Sequence, residues 1–566
     1  MRGRHAVNWF GGCSPGTRAV VPVGARVIWG DPPLWTAGHW PGRLLRTVSG
    51  RTARLAVLGP CAAGTADLAR VVDSRDLSAA TRAWGGSFTL VRRLDDGAVE
   101  VMTDAAGACP VYTVAHRGGV VWGSSSRALS GLTGGLVDTA WLAGYLADSR
   151  RDTAGRSAWS GVGMVPAGHR MLLRDGEMQI SPWWTSAPRP WDDAAAALRG
   201  ALREGVRAAV TGVATSCDLA GMDSSTLAVL AAEHGPVLGM TVHPAAVDEG
   251  GDVAYARTLA GTLPNLRHML LPLEQRHSPL SQAPSRLPAT DEPAPSSVTW
   301  SRLSAQLLAL ADSRVVCHLT GDGGDSLFLP PPTHLIDLAH ARRWGRLAAE
   351  AQAWALLRRA SPWGLVRAAV RGDHHALIGG GGRRPPWVPA AAPEPPAAPA
   401  HLGTCDALLL AEVRYTARSA HTEQQLAEAF GIELRNPFLD GPVLDAVLSA
   451  APWRRCSATR YKPLLTAAVG SLLPPMTRER VTKGVFVGEF HRGVRANLRR
   501  ALALADGRLA ALGLVRPAPL RAALHAAALG AETAWPMLVP ALNAELWLAA
   551  VEHSAAPRWH DLARAR

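Results

Sequence analysis

Two short turns in the sequence combine glycine, hydroxyl and carboxylate residues as phosphate chemistry requires. The first turn, Leu219–Ser225, follows an apolar run and contains Gly221, Asp223, Ser224 and Ser225. Glycine lets the backbone approach an anion closely, serine hydroxyls can donate hydrogen bonds, and a helix N-terminus favours phosphate. Asp223 supplies a carboxylate suited to Mg²⁺. Asp-Ser-Ser is also an ordinary helix cap, so this turn alone leaves a purely structural alternative open.

The second turn, Thr320–Asp325, packs three glycines and two aspartates into six residues after an apolar run. Such a turn is costly for stability, because glycine loses more conformational entropy on folding than any other residue. A calcium site or a plain turn is the alternative interpretation. The two turns predict that Asp223 and Asp325 lie at neighbouring strand ends and bind one or two Mg²⁺ ions. These ions would neutralise a triphosphate and its departing pyrophosphate. The candidate nucleotide contacts in the second turn are Gly321, Asp322, Gly323 and Gly324.

The elements around the turns alternate between apolar strand-like runs and helices. This alternation predicts a parallel sheet with ligand sites at the carboxyl ends of its strands. The predicted strands are Val213–Leu219, Val237–Val242 and Val315–Leu319, and the predicted helices are Asp192–Val210, Thr226–Glu233 and Asp252–Thr262.

The first third of the chain has a different pattern, in which short alternating segments are separated by Gly, Pro and Ser. Period-two runs of this kind predict antiparallel strands and a mostly β, sandwich-type domain ending near Trp183–Trp184. One helix, Ala140–Leu146, interrupts them. The strands are predicted at Ala19–Val23, Arg26–Trp29, Ser87–Arg92, Val99–Thr103, Gly119–Gly123 and His169–Arg174.

The last third is helical in pattern, including Thr422–Phe430 and Pro442–Ser449. Before it, Gly379–Pro399 is dense in Gly, Pro and Ala, which predicts a flexible insertion or linker.

Composition limits the classes of function. The 566 residues are 48% hydrophobic and 19% charged, which predicts about two to four globular domains. The net charge of +13 and pI of about 10.2 favour anionic partners. The sequence has no Lys/Arg block with interleaved aromatic residues, the pattern that would indicate nucleic-acid binding. It also has no run of about 18 apolar residues, the pattern that would predict a membrane span. The seven cysteines are scattered without a CxxC pair, which favours a reducing, cytoplasmic location over disulfides or zinc.

Five motifs resemble those of the asparagine synthetase family and follow one another in the same order. With the landmarks in the first third, the resemblance covers nearly the whole chain. The two turns resemble its SGGxDSS pyrophosphate loop and its SGxGGDE motif, and Gly431–Asp440 resembles its GxExRxPFLD segment. Arg460–Leu465 and Arg480–Phe486 are similar to its late lysine motifs. In the first third, the landmarks that resemble its glutaminase domain are Trp84–Phe88, Asp104–Tyr112 and Val165–His169.

The first residues depart from that family. Members that use glutamine carry a cysteine directly after the initiator Met, whereas here residue 2 is Arg2 and the first cysteine is Cys13. A strand is predicted at His5–Phe10, and Gly11-Gly12-Cys13 is predicted to be the turn after it. Exposure of Cys13 by processing is the alternative. The glutaminase-like half is therefore expected to be a retained scaffold, with the attacking amine supplied by the acceptor substrate.

That departure points to the branch that cyclises its own substrates, which contains β-lactam synthetases and lasso-peptide macrolactam synthetases. Asp291–Ser297 and Leu327–His334 look most like actinobacterial lasso cyclases. Ser326 replaces the family glutamate after the second aspartate. Leu219 and Ala220 stand where the first loop normally begins with serine, so one phosphate donor is expected to be missing.

The resemblance implies an α/β fold, in which residues 1–188 form an Ntn-type αββα glutaminase-like domain. Residues 189–566 would form a Rossmann-like ATP-pyrophosphatase domain with a parallel sheet, a helical C-terminal part and a flexible insertion at 371–400. It implies ATP and Mg²⁺ as cofactors, with adenine near Val242 and His243 and phosphates over Gly221–Ser225. Lys483 and Lys462 would stabilise developing charge.

The resemblance also implies an order of events. A side-chain carboxylate of a leader-free precursor peptide is adenylated, and the peptide's α-amine then closes a macrolactam. Glu292 is a candidate base or orienter of the amine. A leader peptidase and a leader-binding protein are further candidate partners. Asparagine synthetase, β-lactam synthetase and an inactive nucleotide- or peptide-binding scaffold remain alternatives.

Overall fold

The computed structural model describes residues 7–150, 155–219, 221–245, 249–282, 286–379, 384–389, 403–480 and 487–562. The first part of the chain is built from thirteen strands and four short helices. The strands are β1 Trp9–Cys13, β2 Val20–Pro22, β3 Arg26–Gly30, β4 Pro33–Ala37, β5 Leu45–Ser49, β6 Ala53–Leu58, β7 Thr89–Leu94, β8 Val99–Met102, β9 Val111–His116, β10 Gly119–Gly123, β11 Gly163–Val165, β12 His169–Arg174 and β13 Glu177–Pro182. The helices are α1 Thr65–Val71, α2 Leu77–Thr81, α3 Ser126–Ser130 and α4 Thr139–Ala147.

Twelve of these strands form two antiparallel six-stranded sheets, with orders β11-β9-β10-β1-β4-β3 and β13-β12-β8-β7-β6-β5. Side chains alternate across each strand, and β6 shows the consequence. Its Ala56 and Leu58 face the core between the sheets, whereas Leu55 and Val57 pack against α1 and α2 on the outside. Because α4 covers the other sheet in the same way, the layers run helix, sheet, sheet, helix. The six predicted strands are confirmed, with bounds shifted by no more than two residues.

The prediction that Gly11-Gly12-Cys13 forms a turn is wrong, because all three residues lie inside β1. A Cβ on Gly11 would lie 2.6 Å from the Trp35 ring, and one on Gly12 would lie 2.6 Å from the Trp122 ring. Because these glycines have no side chain, the indole rings of Trp35 and Trp122 can pack directly against the backbone of β1, a role that glycine plays in strand interiors. The predicted strand His5–Phe10 is displaced, since β1 begins at Trp9 and residues 5–6 lie outside the described residues.

The second part of the chain is organised around one parallel sheet of order β16-β15-β14-β17-β18. Its elements in chain order are α5 Trp191–Val210, β14 Thr215–Asp218, α6 Met222–Ala232, β15 Val237–Pro244, α7 Gly251–Thr262, β16 Leu266–Leu273, α8 Trp300–Asp312, β17 Cys317–Leu319 and α9 Gly324–Phe328, with β18 at Glu433–Arg435. The predicted parallel sheet is thus confirmed, and β16 and β18 are additions to its three predicted strands. The carboxyl ends of β14, β15 and β17 share one edge.

Helices make up most of the remainder. They are α10 His334–His340, α11 Trp344–Arg358, α12 Pro362–Val370, α13 His374–Ile378, α14 Thr404–Glu428, α15 Gly441–Ser449, α16 Pro452–Arg455, α17 Pro463–Val469, α18 Pro475–Arg478, α19 Val487–Ala496, α20 Leu498–Ala505, α21 Arg508–Ala511, α22 Pro517–Ala528 and α23 Trp535–Glu552. A last strand, β19 Trp559–Asp561, pairs with β2 and returns the chain to its first part. The structure is therefore α/β with a helical C-terminal part, as expected.

Some bounds differ from the predictions. Helix α6 begins at Met222, four residues earlier than predicted, and α14 is 25 residues long where only its end was predicted. Within the predicted insertion at 371–400, α13 is present and Leu377, Trp387 and Val388 are buried. Residues 380–383 and 390–402 lie outside the described part.

Two absences apply to the described ranges. None of the helices there is long and apolar enough to cross a membrane. The seven cysteines are all free thiols.

Candidate active site

The two glycine-rich turns touch each other at the carboxyl edge of the parallel sheet. A Cβ on Gly321 would lie 3.2 Å from the backbone nitrogen of Ser224, and one on Gly324 would lie 2.4 Å from Cγ of Asp223. Gly323 has φ +91°, a left-handed conformation, and a Cβ there would meet Leu439 at 2.7 Å. Side chains at these glycines would separate the turns, so the contact explains a composition that is otherwise unfavourable.

Lys462 lies where the turns meet. Its Nζ donates a hydrogen bond to Oδ1 of Asp325 at 2.6 Å and another to Oδ2 of Asp223. The lysine side chain is 1% exposed, that of Asp223 is largely buried, and that of Asp325 is partly open to solvent. Three predicted site residues from distant parts of the sequence are therefore in direct contact.

The lysine is held in its charged form. Burial would lower the pKa of Lys462, but the carboxylates of Asp223 and Asp325 more than offset this and raise it. Its backbone has φ +44°, which is left-handed and unusual for a residue with a side chain. Strain of this kind is found at functional sites, where the surroundings over-determine the conformation.

The predicted Mg²⁺ ligands, Asp223 and Asp325, fit a magnesium site whose coordination is completed by substrate phosphates and water. Asp223 and Asp325 converge on the same ammonium, so they can also converge on one cation. Among the residues that the structure describes, no group of three or more His, Cys, Asp or Glu side chains could hold a metal. Mg²⁺ is commonly bound through one or two carboxylates plus substrate phosphates and water. The two aspartates fit that arrangement and do not fit a cage made of protein alone.

The first turn is a helix N-terminus as predicted. Gly221 caps α6, and Ser224 Oγ donates to the Gly221 carbonyl at 3.2 Å. Ser225 is buried in the first turn of the helix, and its backbone N–H is bonded to Gly221 O at 3.0 Å. The N-terminus of α6 can therefore bind an anion through its backbone. The Ser224 hydroxyl already donates its hydrogen bond within the turn.

The residues predicted near adenine lie at the same sheet edge. Val242 and His243 are at the end of β15, which pairs in parallel with β14 on one side and β16 on the other. His243 is buried, and its Nδ1 is 2.9 Å from the carbonyl of Pro244. The other predicted catalytic lysine, Lys483, lies outside the described residues.

Asp322 is held by side chains that the sequence motifs do not single out. Thr320 Oγ1 donates to Asp322 Oδ2 at 2.8 Å, and Asn436 Nδ2 donates to Thr320 Oγ1 at 2.6 Å. Asn436 follows β18, so the fifth strand orients the exposed carboxylate of the second turn.

Glu423 of α14 is a further acid at this site, and sequence reasoning missed it. The pKa of Glu423 is raised to about 7, mainly by loss of solvation and in part by the nearby Asp322 carboxylate, whereas the N–H of Ser296 and Arg302 oppose the rise. The Ser296 N–H donates to Glu423 Oε1 at 2.7 Å. A partly buried acid on a long helix leaves no periodic signal, so only the tertiary contact identifies it.

Glu292 belongs to a different group of charges from Lys462. Its carboxylate lies 3.3 Å from Nε of Arg418 on α14. Its neighbour Asp291 is 1% exposed and accepts hydrogen bonds from Ser125 Oγ at 2.7 Å and Gln425 Nε2 at 2.7 Å. The Asp291-Glu292 pair therefore joins α14 to the first part of the chain, and its catalytic role stays a prediction.

The segment that resembles GxExRxPFLD also connects the two parts of the chain. Arg43 Nη1 donates to Glu433 Oε2 at 2.8 Å, and Arg435 Nη2 donates to the same oxygen at 2.8 Å. Asp440 accepts from the backbone N–H of Gly86 at 3.0 Å and from Ser87 Oγ at 2.8 Å. The described contacts of this motif thus hold the parallel sheet against the first part of the chain.

No cysteine of the first part resembles an activated nucleophile within the described residues. Burial raises the pKa of Cys13 to about 11 and that of Cys61 to about 12. Cys13 is fully buried, with its Sγ 3.5 Å from the carbonyl of Val20. A nucleophilic cysteine requires a lowered pKa and access, and Cys13 has neither.

We expect the free energy of unfolding to fall as pH rises from about 5 to 8. Burial raises the pKa of Asp440, Glu423 and Glu428 to about 7 each. Unfolded carboxyls titrate near pH 4, so between about pH 4 and 7 the folded chain binds more protons. This stabilisation is present below the unfolded pKa and is lost as pH passes through about 7. Denaturant titrations at several pH values measure the slope.

In Asp440→Asn the slope should be shallower, whereas Asp312→Asn at the exposed end of α8 should leave it unchanged. Equal slopes in all three proteins would contradict the assignment.

The comparisons with known proteins agree with this geometry. The family model for asparagine synthase matches residues 197–549, more than half of the 566-residue chain. A comparison with curated proteins gives no match.

Two solved structures show distant likenesses. One is an allosteric regulatory enzyme of purine biosynthesis, at 8% identity and TM-score 0.21, over 48% of this chain and 75% of that one. The other is glutamine phosphoribosylpyrophosphate amidotransferase from B. subtilis complexed with ADP and GMP, at 8% identity and TM-score 0.21, over 58% and 76%.

The assignment depends on the family model, because likenesses at these TM-scores carry no argument. Enzymes of that family are ATP-dependent ligases that form amide bonds. The matched range contains both glycine-rich turns and Lys462. The chain belongs to the asparagine synthase family.

Proposed function

We propose that the chain activates a carboxylate with ATP and joins it to an amine that the same substrate supplies, closing a macrolactam in a leader-free precursor peptide. The observation that carries the first half of this proposal is the buried ammonium of Lys462 between Asp223 and Asp325. It lies at the strand ends of an α/β sheet, where such folds bind their ligands.

The residues of the site would act in sequence. The N-terminus of α6 binds phosphate, with Asp223 and Asp325 directed at the same point. Asp223 and Asp325 would hold Mg²⁺, which would supply positive charge to neutralise the phosphates. The substrate carboxylate attacks the α-phosphorus, the bond to pyrophosphate breaks, and an acyl-adenylate forms. Lys462, already charged and water-excluded, stabilises negative charge on the phosphate oxygens.

The second step is amide formation. The substrate amine attacks the acyl carbon, the bond to AMP breaks, and a proton leaves the nitrogen. Burial raises the pKa of Glu423 to about 7, and the Asp322 carboxylate is near enough to contribute to this rise. A group of that pKa suits a general base at neutral pH. We therefore add this pair to Glu292 as candidates for taking the amine proton.

One observation favours an amine from the substrate itself. Cys13 is a buried thiol within a strand and does not resemble an activated nucleophile. Holding an amine of the same molecule beside the adenylate makes ring closure unimolecular, an advantage that can reach roughly 7–11 kcal/mol. The motif resemblance of Asp291–Ser297 and Leu327–His334 favours a peptide over a small β-amino acid.

Pyrophosphate release measured with ATP, Mg²⁺ and a leader-free precursor peptide from a neighbouring gene tests the proposal. We expect peptide-dependent release and a product lighter by one water in the mass spectrum. Asp325→Ala should abolish both, because it removes one of the two carboxylates at the site.

The alternatives make different predictions in the same assay. Turnover with aspartate and ammonia, without peptide, would assign the chain to asparagine synthesis. A cyclised β-amino acid would assign it to β-lactam synthesis. Nucleotide binding without turnover of any acceptor would support a scaffold.

A further inference from the structure

The hairpin of α11 and α12 exposes large apolar side chains at its turn and along α12. Leu356 and Leu357, at the end of α11, are 72% and 60% exposed, and Trp363 and Val370 of α12 are 75% and 54% exposed. Burying such side chains is strongly favourable, so four of them close together in sequence and more than half exposed indicate an interaction surface.

The two faces of α12 have different roles. Leu365, Ala368 and Ala369 are buried in a core shared with α11. At 100° per residue, Trp363 and Val370 lie on the opposite face, with Arg367 and Arg371 directly beside them. The helix is thus packed on one side, and its exposed side combines an indole, a valine and two guanidinium groups.

The charged side chains around this turn are predominantly positive. Residues 342–371 contain seven arginines, and Glu350 is their only acid. Some of these arginines have a structural role, since Arg343 stacks on Trp453 and Arg358 donates to the carbonyl of Leu377. Arg359, Arg367 and Arg371 are exposed at the turn and on α12.

We propose that this surface, the α11–α12 tip, docks on a membrane that contains anionic lipid. We define the tip as Leu356, Leu357, Arg359, Trp363, Arg367, Val370 and Arg371. Apolar side chains flanked by arginine, with tryptophan among them, are the composition of interfacial helices. Tryptophan prefers the boundary between headgroups and acyl chains.

Charge complementarity favours lipid over a protein partner. A protein would need acids placed opposite each arginine, whereas an anionic bilayer supplies negative charge and apolar chains across the whole tip. The docking is peripheral, which agrees with the absence of a spanning helix among the described residues. The tip takes no part in the adenylation chemistry, so this inference does not depend on the proposed function.

Co-sedimentation of the full chain with vesicles tests the inference. We expect binding to vesicles of phosphatidylcholine mixed with phosphatidylglycerol. Binding to phosphatidylcholine alone should be at least tenfold weaker, and binding should weaken as salt is added. Each arginine near an anionic surface contributes roughly a fivefold gain in affinity. Arg367→Glu with Arg371→Glu should therefore weaken binding by about 25-fold or more.

Matched variants test whether vesicle binding depends on the tip itself or on charged and apolar side chains elsewhere on the surface. Leu357→Ser with Trp363→Ser should abolish vesicle binding and leave turnover in solution unchanged. Leu529→Ser with Arg499→Glu changes an equally exposed leucine, 83% exposed, and an exposed arginine elsewhere, and it should bind as the parent does.

Three results would overturn the inference. They are no binding to anionic vesicles, equal loss in the control variant, or binding of polyglutamate at the tip without binding of vesicles. The last would assign the tip to an acidic protein partner.

Discussion

Lys462→Met is expected to lower the rate of pyrophosphate release by about 10²- to 10³-fold, the usual cost of losing one preorganised charge donor. The lysine is buried between two carboxylates, so its loss removes one positive charge from between two like charges, Asp223 and Asp325. Breaking a buried pair in this way also costs about 3–5 kcal/mol of stability. Single-turnover kinetics and denaturant unfolding measure the two effects separately.

A matched variant distinguishes catalysis from stability. Arg455 is 2% exposed and paired with Asp406, away from the two turns. Arg455→Met should lose comparable stability while its folded fraction keeps the parental rate. In Lys462→Met with Asp223→Asn, stability should partly recover without recovery of the rate. A rate for Lys462→Met within a few-fold of the parent would contradict a role for the ammonium in catalysis.

Gly324→Ala should reduce pyrophosphate release by about 10²-fold, although it adds only one methyl group. The new Cβ would lie 2.4 Å from Cγ of Asp223, and the Lys462 ammonium bonded to that carboxylate restricts its displacement. A displacement of about 1 Å in a catalytic arrangement costs roughly this much. Overpacking of this kind also destabilises by about 1–3 kcal/mol. The rate and the melting temperature are the measurements.

Gly200→Ala is the control for the added methyl group. Gly200 lies within α5, and a Cβ there meets nothing within 4 Å. Removing glycine from a helix interior should stabilise by about 0.5–1 kcal/mol without changing the rate. If Gly324→Ala proved as active as Gly200→Ala, the tight contact between the two turns would have no functional meaning.

The contacts of Glu433, Asp440 and Asp291 give the first part of the chain a structural role. Asp440 accepts hydrogen bonds from Gly86 and Ser87, and a Cβ on Gly205 would lie 2.1 Å from its Oδ2, so α5, the segment before β7 and the segment that resembles GxExRxPFLD meet at one carboxylate. Removal of the first part would take away these two donors of Asp440, the Arg43 partner of Glu433 and the Ser125 donor of Asp291. The first part therefore has a structural function that does not require ammonia production.

The amino-acid sequence by itself was sufficient to predict the sheet type, the ends of three of its strands and the proximity of Asp223 and Asp325. Alternation of strands and helices is a local pattern, and the carboxyl ends of parallel strands must share an edge, so this pattern is sufficient to place Asp223 and Asp325 together. Lys462 is identified only through its motif, because no local rule brings a lysine from an αL position between two aspartates. Its pairing with both carboxylates follows from the fold alone.

The tertiary structure decided the rest. Glu423 and Asp291 lie in segments whose local patterns are those of an ordinary helix and an ordinary loop, and their roles arise from burial against distant partners. Gly11 and Gly12 resemble a turn because glycine usually indicates one, yet here two tryptophans across the sheet require them in a strand. Local composition limits which conformations a segment can adopt, whereas packing against residues far away in the sequence selects among them and sets the pKa of each buried acid.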